Sequence, residues 1–187
     1  ATLSKSGVKP TKTKFNSELE QTFYEFWSAF SDEKYTEAGF LLEELKELKN
    51  NSNGSVDKAI QDIISISEIK FFLKTGKIDE AYFLLRRFDH DAPVTWLMRE
   101  LDRLRLRVLY SLGKVKEFEL IARKAVKLYP KDDWFWNKRA SMEFQKGNVA
   151  KSHFFVAKGF LAIGNEVGAI EQLTLASSQA GKQQKIL

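Results

Sequence analysis

The sequence contains no cysteine, and it has only two histidines and three prolines among its 187 residues. Without cysteine the chain has no disulfide framework, no thiolate nucleophile and no cysteine-ligated zinc site. The two histidines, His90 and His153, cannot form a His-Glu-x-x-His zinc motif. These absences argue against catalysis, and we expect neither an enzymatic activity nor a cofactor.

Other chemical signatures are missing as well. The sequence shows no glycine-rich phosphate loop and no Ser/His/Asp arrangement. The segment Asp89-His90-Asp91 is the one cluster that resembles a metal site, and such turns more often cap helices or stay solvated. Apolar runs are soon interrupted by Lys or Arg, so we expect a soluble chain without membrane insertion. The compartment stays open, with the cytoplasm slightly favoured over a bacterial periplasm.

The net charge of +5 is unevenly distributed along the chain. Residues 1–14 hold four lysines and no acid, so we predict a flexible basic arm there. Residues 15–85 carry 7 lysines against 14 acids, whereas residues 86–139 carry 14 Lys or Arg against 8 acids. The folded part is therefore close to neutral but polarised, and this disfavours nucleic acid as the partner.

Apolar residues recur at helical spacing almost throughout residues 15–187, and no stretch alternates as a strand would. Turn signals interrupt this pattern every 17 to 20 residues, at Gly76, Pro93, Gly113, Pro130, Gly147 and Gly164. Short helices alternating with tight turns at this spacing predict helical hairpins with a period near 34 residues.

The repeat resembles the tetratricopeptide family. With Gly76 at the turn, Ala81 and Pro93 fall on that family's alanine and proline positions, and with Gly147 at the turn, Trp136 falls on its tryptophan. The resemblance implies an all-α, right-handed array of antiparallel helical hairpins with about nine helices, occupying residues 15–187 as one domain.

The C-terminal segment fits the repeat in two phases. Residues 150–163 are the second helix of the Gly147 hairpin and the first helix of the Gly164 hairpin, so we expect one helix to serve both units. This ending also resembles the repeat domain of some bacterial M48 metalloproteases, although their zinc motif is absent. It raises the alternative of a regulatory or substrate-docking domain of a larger enzyme or assembly.

The resemblance also implies a concave groove lined by the first helix of each hairpin. We expect it to hold a partner's peptide or helix, with a second copy of the chain as an alternative occupant. Arginine forks and aromatic faces would suit an acidic partner. The positions implied to line the groove are Lys70, Arg103, Arg107, Tyr110, Trp134, Asn137 and Phe144.

The segment YPKDDWFWNKR, residues 129–139, contains three neighbouring rings. We expect Asp132 or Asp133 to cap the following helix, Trp136 to be a core ring and Trp134 to face the groove, while Phe135 stays undecided. Arg105 falls near the apolar stripe of its helix, and it should either extend outward or pair with an acid such as Asp102.

The function favoured by the sequence is a protein-interaction scaffold or adaptor.

Overall fold

A computed structural model describes residues 17–51, 58–88 and 96–184. These residues form helices joined by short turns, and none of them lies in a strand. The helices are α1 Glu18–Ser31, α2 Tyr35–Asn51, α3 Lys58–Lys74, α4 Ile78–Leu85, α5 Trp96–Ser111, α6 Val115–Leu128, α7 Asp133–Gln145, α8 Val149–Ala162 and α9 Glu166–Gln184. Nine helices over the described ranges confirm the predicted all-α hairpin array. The basic arm and the Asp89-His90-Asp91 turn lie outside the described residues.

The predicted glycine turns have one common geometry. Gly76, Gly113, Gly147 and Gly164 all have positive φ, between 64° and 79°. After Gly113, the N–H of the next residue donates to a carbonyl oxygen in the last turn of α5, with an N···O distance of 2.9 Å. This pattern closes the helix through a left-handed residue just past its end, a conformation in which glycine has no Cβ to strain.

A fifth turn of the same kind contains no glycine. Between α1 and α2, Glu33 has a φ of 60°, and the Lys34 N–H donates to the Ala29 carbonyl at 2.9 Å. The sequence carries no Gly or Pro at this break, although Tyr35, Ala38 and Leu42 after it fit the second helix of a repeat unit. The turn forms nevertheless because the helices on either side bury Phe26 and Leu42 completely or nearly so.

The described chain divides into two compact units, and the boundary between them along the chain lies within α3, between residues 71 and 72. In the first unit, α1 packs on α2, and Leu45, Ile64 and Ile69 are buried. Gly39 lies at a close approach, since a Cβ there would be 3.3 Å from the Phe71 ring. The Trp27 ring lies edge-on to its neighbours Phe26 and Phe30.

In the second unit each helix packs on the next one along the chain, from α4 to α9. A hydrophobic core cluster joins α5, α6 and α7 and contains Leu106, Leu109, Phe118, Ala122, Ala125, Val126, Tyr129, Phe135 and Met142. The helix α8 packs against both α7 and α9, which confirms that one helix serves two hairpins. Each helix therefore buries an apolar face against its neighbours, as a repeat array requires.

A buried ion pair lies beside this core. Arg105 is 4% exposed, and its guanidinium donates to the Asp102 carboxylate at 2.9 Å, which confirms the predicted pairing. The Tyr129 hydroxyl donates to the same carboxylate at 3.3 Å. Burial, together with the neighbouring Asp102 charge, raises the pKa of Tyr129 to about 12. The guanidinium of Arg105 and the hydroxyl of Tyr129, the C-cap residue of α6, thus share one carboxylate of α5 inside the second unit.

Candidate partner-binding surface

The arginines of α5 form a row because they are four residues apart. Arg99, Arg103 and Arg107 share one face, while Leu101 and Leu104 are buried on another. The row consequently points away from the core and toward the start of α7. The middle arginine of the row is more covered than the first, because the Arg103 side chain is 32% exposed and that of Arg99 is 50% exposed.

Asp132 connects this row to α7. It is the N-cap of α7, and its carboxylate accepts from the Trp134 backbone N–H at 3.2 Å, which confirms the predicted cap. The other carboxylate oxygen accepts from Arg103 at 2.7 Å and lies 4.0 Å from the Arg99 side chain. The side chain of Asp132 is only 8% exposed. One carboxylate thus fixes both the first turn of α7 and the position of Arg103.

Trp134 lies at the centre of a group of cations. The charged groups of Arg103, Arg107 and Lys138 lie 5.7, 5.9 and 5.1 Å from the centroid of its ring. Each distance is within the range of a cation–π interaction. We call Arg103, Arg107, Asp132, Trp134 and Lys138 the Trp134 cluster. It holds three cations against one carboxylate, and the Nε atom of Arg103 is buried without a hydrogen-bond partner.

A cavity of about 460 Å³ adjoins the Trp134 cluster, and Lys138 belongs to both. Its rim carries Tyr110, whose hydroxyl accepts from the Gln145 side-chain amide at 2.9 Å. Apolar side chains form much of the wall. We call it the Tyr110 pocket, and it is lined by Leu109, Tyr110, Gly113, Val115, Phe118, Lys138, Ser141, Met142 and Gln145. An apolar side chain inserted here would contact a hydrophobic wall beneath a polar, cationic rim.

Comparison with solved structures finds the chain similar to one titled "MamA MSR-1 C2", a protein that contains tetratricopeptide repeats. The TM-score is 0.51 at 15% identity, over 88% of this chain and 98% of that one. The fold is a tetratricopeptide-like α-solenoid. No protein-family model matches the sequence, and no curated protein matches it. No comparison supports the resemblance to M48 metalloproteases.

The structure brings together three of the residues predicted to line the groove, namely Arg103, Arg107 and Trp134. Tyr110 lies beside them on the pocket rim, with 58% of its surface exposed. These positions are consistent with a binding surface, but a partner-binding role for them stays a prediction.

The other predicted positions lie outside the Trp134 cluster. Phe144 is 63% exposed on α7, and Asn137 lies near Gly159 of α8. Lys70 belongs to the first unit, where its ammonium lies 5.4 Å from the Trp27 ring centroid. Their role in binding also stays a prediction.

Lys138 and Gln145 were missed by the sequence reading. The repeat pattern selects fixed positions along each first helix, and neither residue occupies one of them. A helical spacing of four residues from Trp134 and from Ser141 would have placed both on the same face of α7.

The ring assignments in residues 134–136 are resolved by burial. Phe135 is fully buried and stacks on Tyr129, with 5.1 Å between the ring centroids. Trp136 packs partly against the core cluster and stacks on Phe155, and its indole N–H donates to the Pro130 carbonyl at 2.9 Å. Phe135 is therefore the core ring of the three, whereas Trp136, the predicted core ring, packs half-buried at the edge of the core cluster.

Two features are absent from the residues that the structure describes. These residues contain no group of three or more His, Cys, Asp or Glu side chains arranged to hold a metal ion. Among the same residues, no helix is both long enough and apolar enough to cross a membrane. The cationic and aromatic surface of α5 and α7 is the feature on which a functional proposal is built.

Proposed function

We propose that the protein is an interaction scaffold that binds an acidic segment of a partner protein on the surface formed by α5 and α7. The observation that carries the proposal is the Trp134 cluster, where three cations surround one indole and the cluster itself contains one carboxylate, that of Asp132. Proteins with this architecture are generally non-catalytic. Protein binding through the first helices of the hairpins accords with that architecture.

The surface offers two kinds of contact to such a segment. Arg107 and Lys138 supply positive charge toward carboxylates, and guanidinium groups bind carboxylates in a bidentate manner. The Tyr110 pocket offers a hydrophobic wall to an apolar or aromatic side chain. Anchoring one ring in a pocket while charges fix its surroundings is how peptide segments commonly gain both affinity and register.

The experiment that tests this proposal uses synthetic peptides with a fluorescent label. One peptide has a phenylalanine between pairs of glutamates, a second replaces the glutamates with lysines, and a third replaces the phenylalanine with serine. We expect fluorescence anisotropy to show saturable binding of the first peptide, none of the second, and at least about tenfold weaker binding of the third.

Variants locate the site. Arg107→Glu combined with Lys138→Glu should weaken binding of the acidic peptide by at least about tenfold, because two attractive contacts become repulsive. Arg103 is left intact because a reversed charge there would face Asp132. The matched control is Lys127→Glu with Lys151→Glu, which changes the net charge equally on exposed positions of α6 and α8. Equal weakening by both pairs would overturn the proposed site.

A further inference from the structure

The first unit carries a surface of the kind that the α5 and α7 surface should bind. On α2, Phe40 is 75% exposed, although the same helix buries Ala38, Leu42 and Leu45 on its other side. Exposed glutamates lie before and after this ring. We define the acidic face of α2 as Glu37, Phe40, Glu43, Glu44 and Glu47.

These residues share one side of α2 because of their spacing. Glu37, Phe40 and Glu44 are three and four residues apart, so they are neighbours on the helix surface, and Glu43 and Glu47 extend the same side. Only Glu43 has an ion pair described here, with Lys46 at 3.0 Å. A phenylalanine exposed to this extent can anchor a partner in a pocket, and the carboxylates around it give the face a negative charge.

We propose that the acidic face of α2 of one copy binds the Trp134 cluster and the Tyr110 pocket of a second copy. This inference rests on the proposed function and names a partner for it. Phe40 enters the Tyr110 pocket, and glutamates beside it meet Arg107 and Lys138. The second copy is favoured by charge complementarity within the chain itself, since residues 15–85 have an excess of seven acids and residues 86–139 an excess of six bases.

The contact is heterologous, because it joins two different surfaces. Each copy then uses its α2 toward one neighbour and its α5 and α7 surface toward another, so growth does not stop at a dimer unless a ring closes. The size of the assembly should rise with protein concentration. It should fall with added salt, because the carboxylates and cations remain near the solvent.

Sedimentation velocity of the full chain tests the inference. We expect the weight-average mass of the wild-type chain to at least about double across a concentration series at low salt and to return toward the monomer at high salt. Phe40→Ala should remain a monomer, as should Arg107→Glu with Lys138→Glu. The control is Phe83→Ala, which removes another exposed phenylalanine, on α4, and should associate like the wild type.

Mixing the two monomeric variants gives the sharpest result. Phe40→Ala keeps an intact α5 and α7 surface, and the charge-reversed variant keeps an intact acidic face. Together they should form a one-to-one dimer that does not grow, because the only matched pair of surfaces is then used. A symmetric contact between identical surfaces would not be restored by this mixture, and that result would overturn the inference.

Other outcomes separate this inference from the proposed function. A chain that binds the acidic peptide but stays monomeric at every concentration overturns self-association and leaves the proposed function intact, with the occupant supplied by another protein. Self-association that persists in Phe40→Ala also overturns the inference. Failure of the peptide to bind, together with a monomeric chain, overturns both.

Discussion

Glu33 adopts a left-handed backbone conformation that is adopted by glycine in the four other turns of this kind. Its φ of 60° matches the left-handed value at the four glycine turns, and it is the one described non-glycine residue with positive φ. A Cβ in this region crowds the following carbonyl and costs roughly 1 to 2 kcal/mol. The strain is local, because the hydrogen bond that closes the helix is formed as it is in the other turns.

Glu33→Gly should therefore stabilise the protein. We expect the free energy of unfolding to rise by about 0.5 to 1 kcal/mol, which is the relieved strain less the greater freedom of glycine in the unfolded chain. Urea denaturation followed by circular dichroism measures the change. Glu33→Ala is the control, because it removes the charge and keeps the Cβ. If alanine stabilised the protein as much as glycine, side-chain charge rather than backbone strain would be the cause.

The start of α7 depends on a single carboxylate that makes two interactions. Asp132 caps the helix through the Trp134 N–H and also accepts from Arg103. Asp132→Ala removes both interactions and should lower the free energy of unfolding by about 2 to 3 kcal/mol. Asp132→Asn retains a capping oxygen and loses only the charge, so about 1 kcal/mol should be lost.

The free energies of unfolding of the two Asp132 variants, measured with heat and urea, separate the contribution of the helix cap from that of the ion pair with Arg103. An equal loss of unfolding free energy in both variants would mean that the cap contributes nothing and that the ion pair with Arg103 accounts for the whole effect. Secondary-structure content near the native value in each variant confirms that both variants fold before their unfolding is compared.

At the level of helices and turns, the sequence predicted what local chemistry determines. Glycine marks left-handed turns directly, so the breaks at Gly76, Gly113, Gly147 and Gly164 were found, whereas the turn at Glu33 carries no such mark. Which ring of residues 134–136 is buried depends on how α6 and α7 pack, and helical spacing alone could not decide it. The pairing of Arg103 with Asp132 joins residues 29 positions apart, and its geometry required the folded chain.

At the scale of the whole molecule, stability should be unevenly distributed along the second unit. In a repeat array each helix gains stability from its immediate neighbours. The core cluster lies in α5, α6 and α7, whereas Ala169 is the one side chain of α9 among the described buried hydrophobic residues. We therefore expect backbone amides of α9 to exchange with solvent at least about tenfold faster than those of α5 and α6.

Hydrogen exchange of the full chain followed by mass spectrometry measures this gradient. Peptides from α6 and α9 provide the comparison within one sample. Equal protection of the two helices would show that the second unit opens as a single cooperative block rather than from its last helix.

The whole-chain pattern was predictable in outline because it repeats. A regular alternation of helices and turns predicts an array without knowledge of any single contact, and the charge counts of residues 15–85 and 86–139 already place opposite excesses in different parts of the sequence. The division of the described chain within α3 was not predicted, since nothing in the apolar spacing of that helix changes at residue 71. A single repeat domain over residues 15–187 therefore stays a prediction.

The shared carboxylate of Asp132 has a consequence for which ligands can be selected. A carboxylate that approaches Arg103 must compete with the Asp132 carboxylate, which is only 8% exposed and is held in place as the N-cap of α7. A ligand carboxylate bound to Arg103 therefore replaces the Asp132 carboxylate and adds little to the binding free energy. Arg107 and Lys138 of the Trp134 cluster have no described ion pair that a ligand must first displace. Discrimination among acidic segments should accordingly be decided at Arg107 and Lys138, and Arg103 serves to keep the indole between them in place.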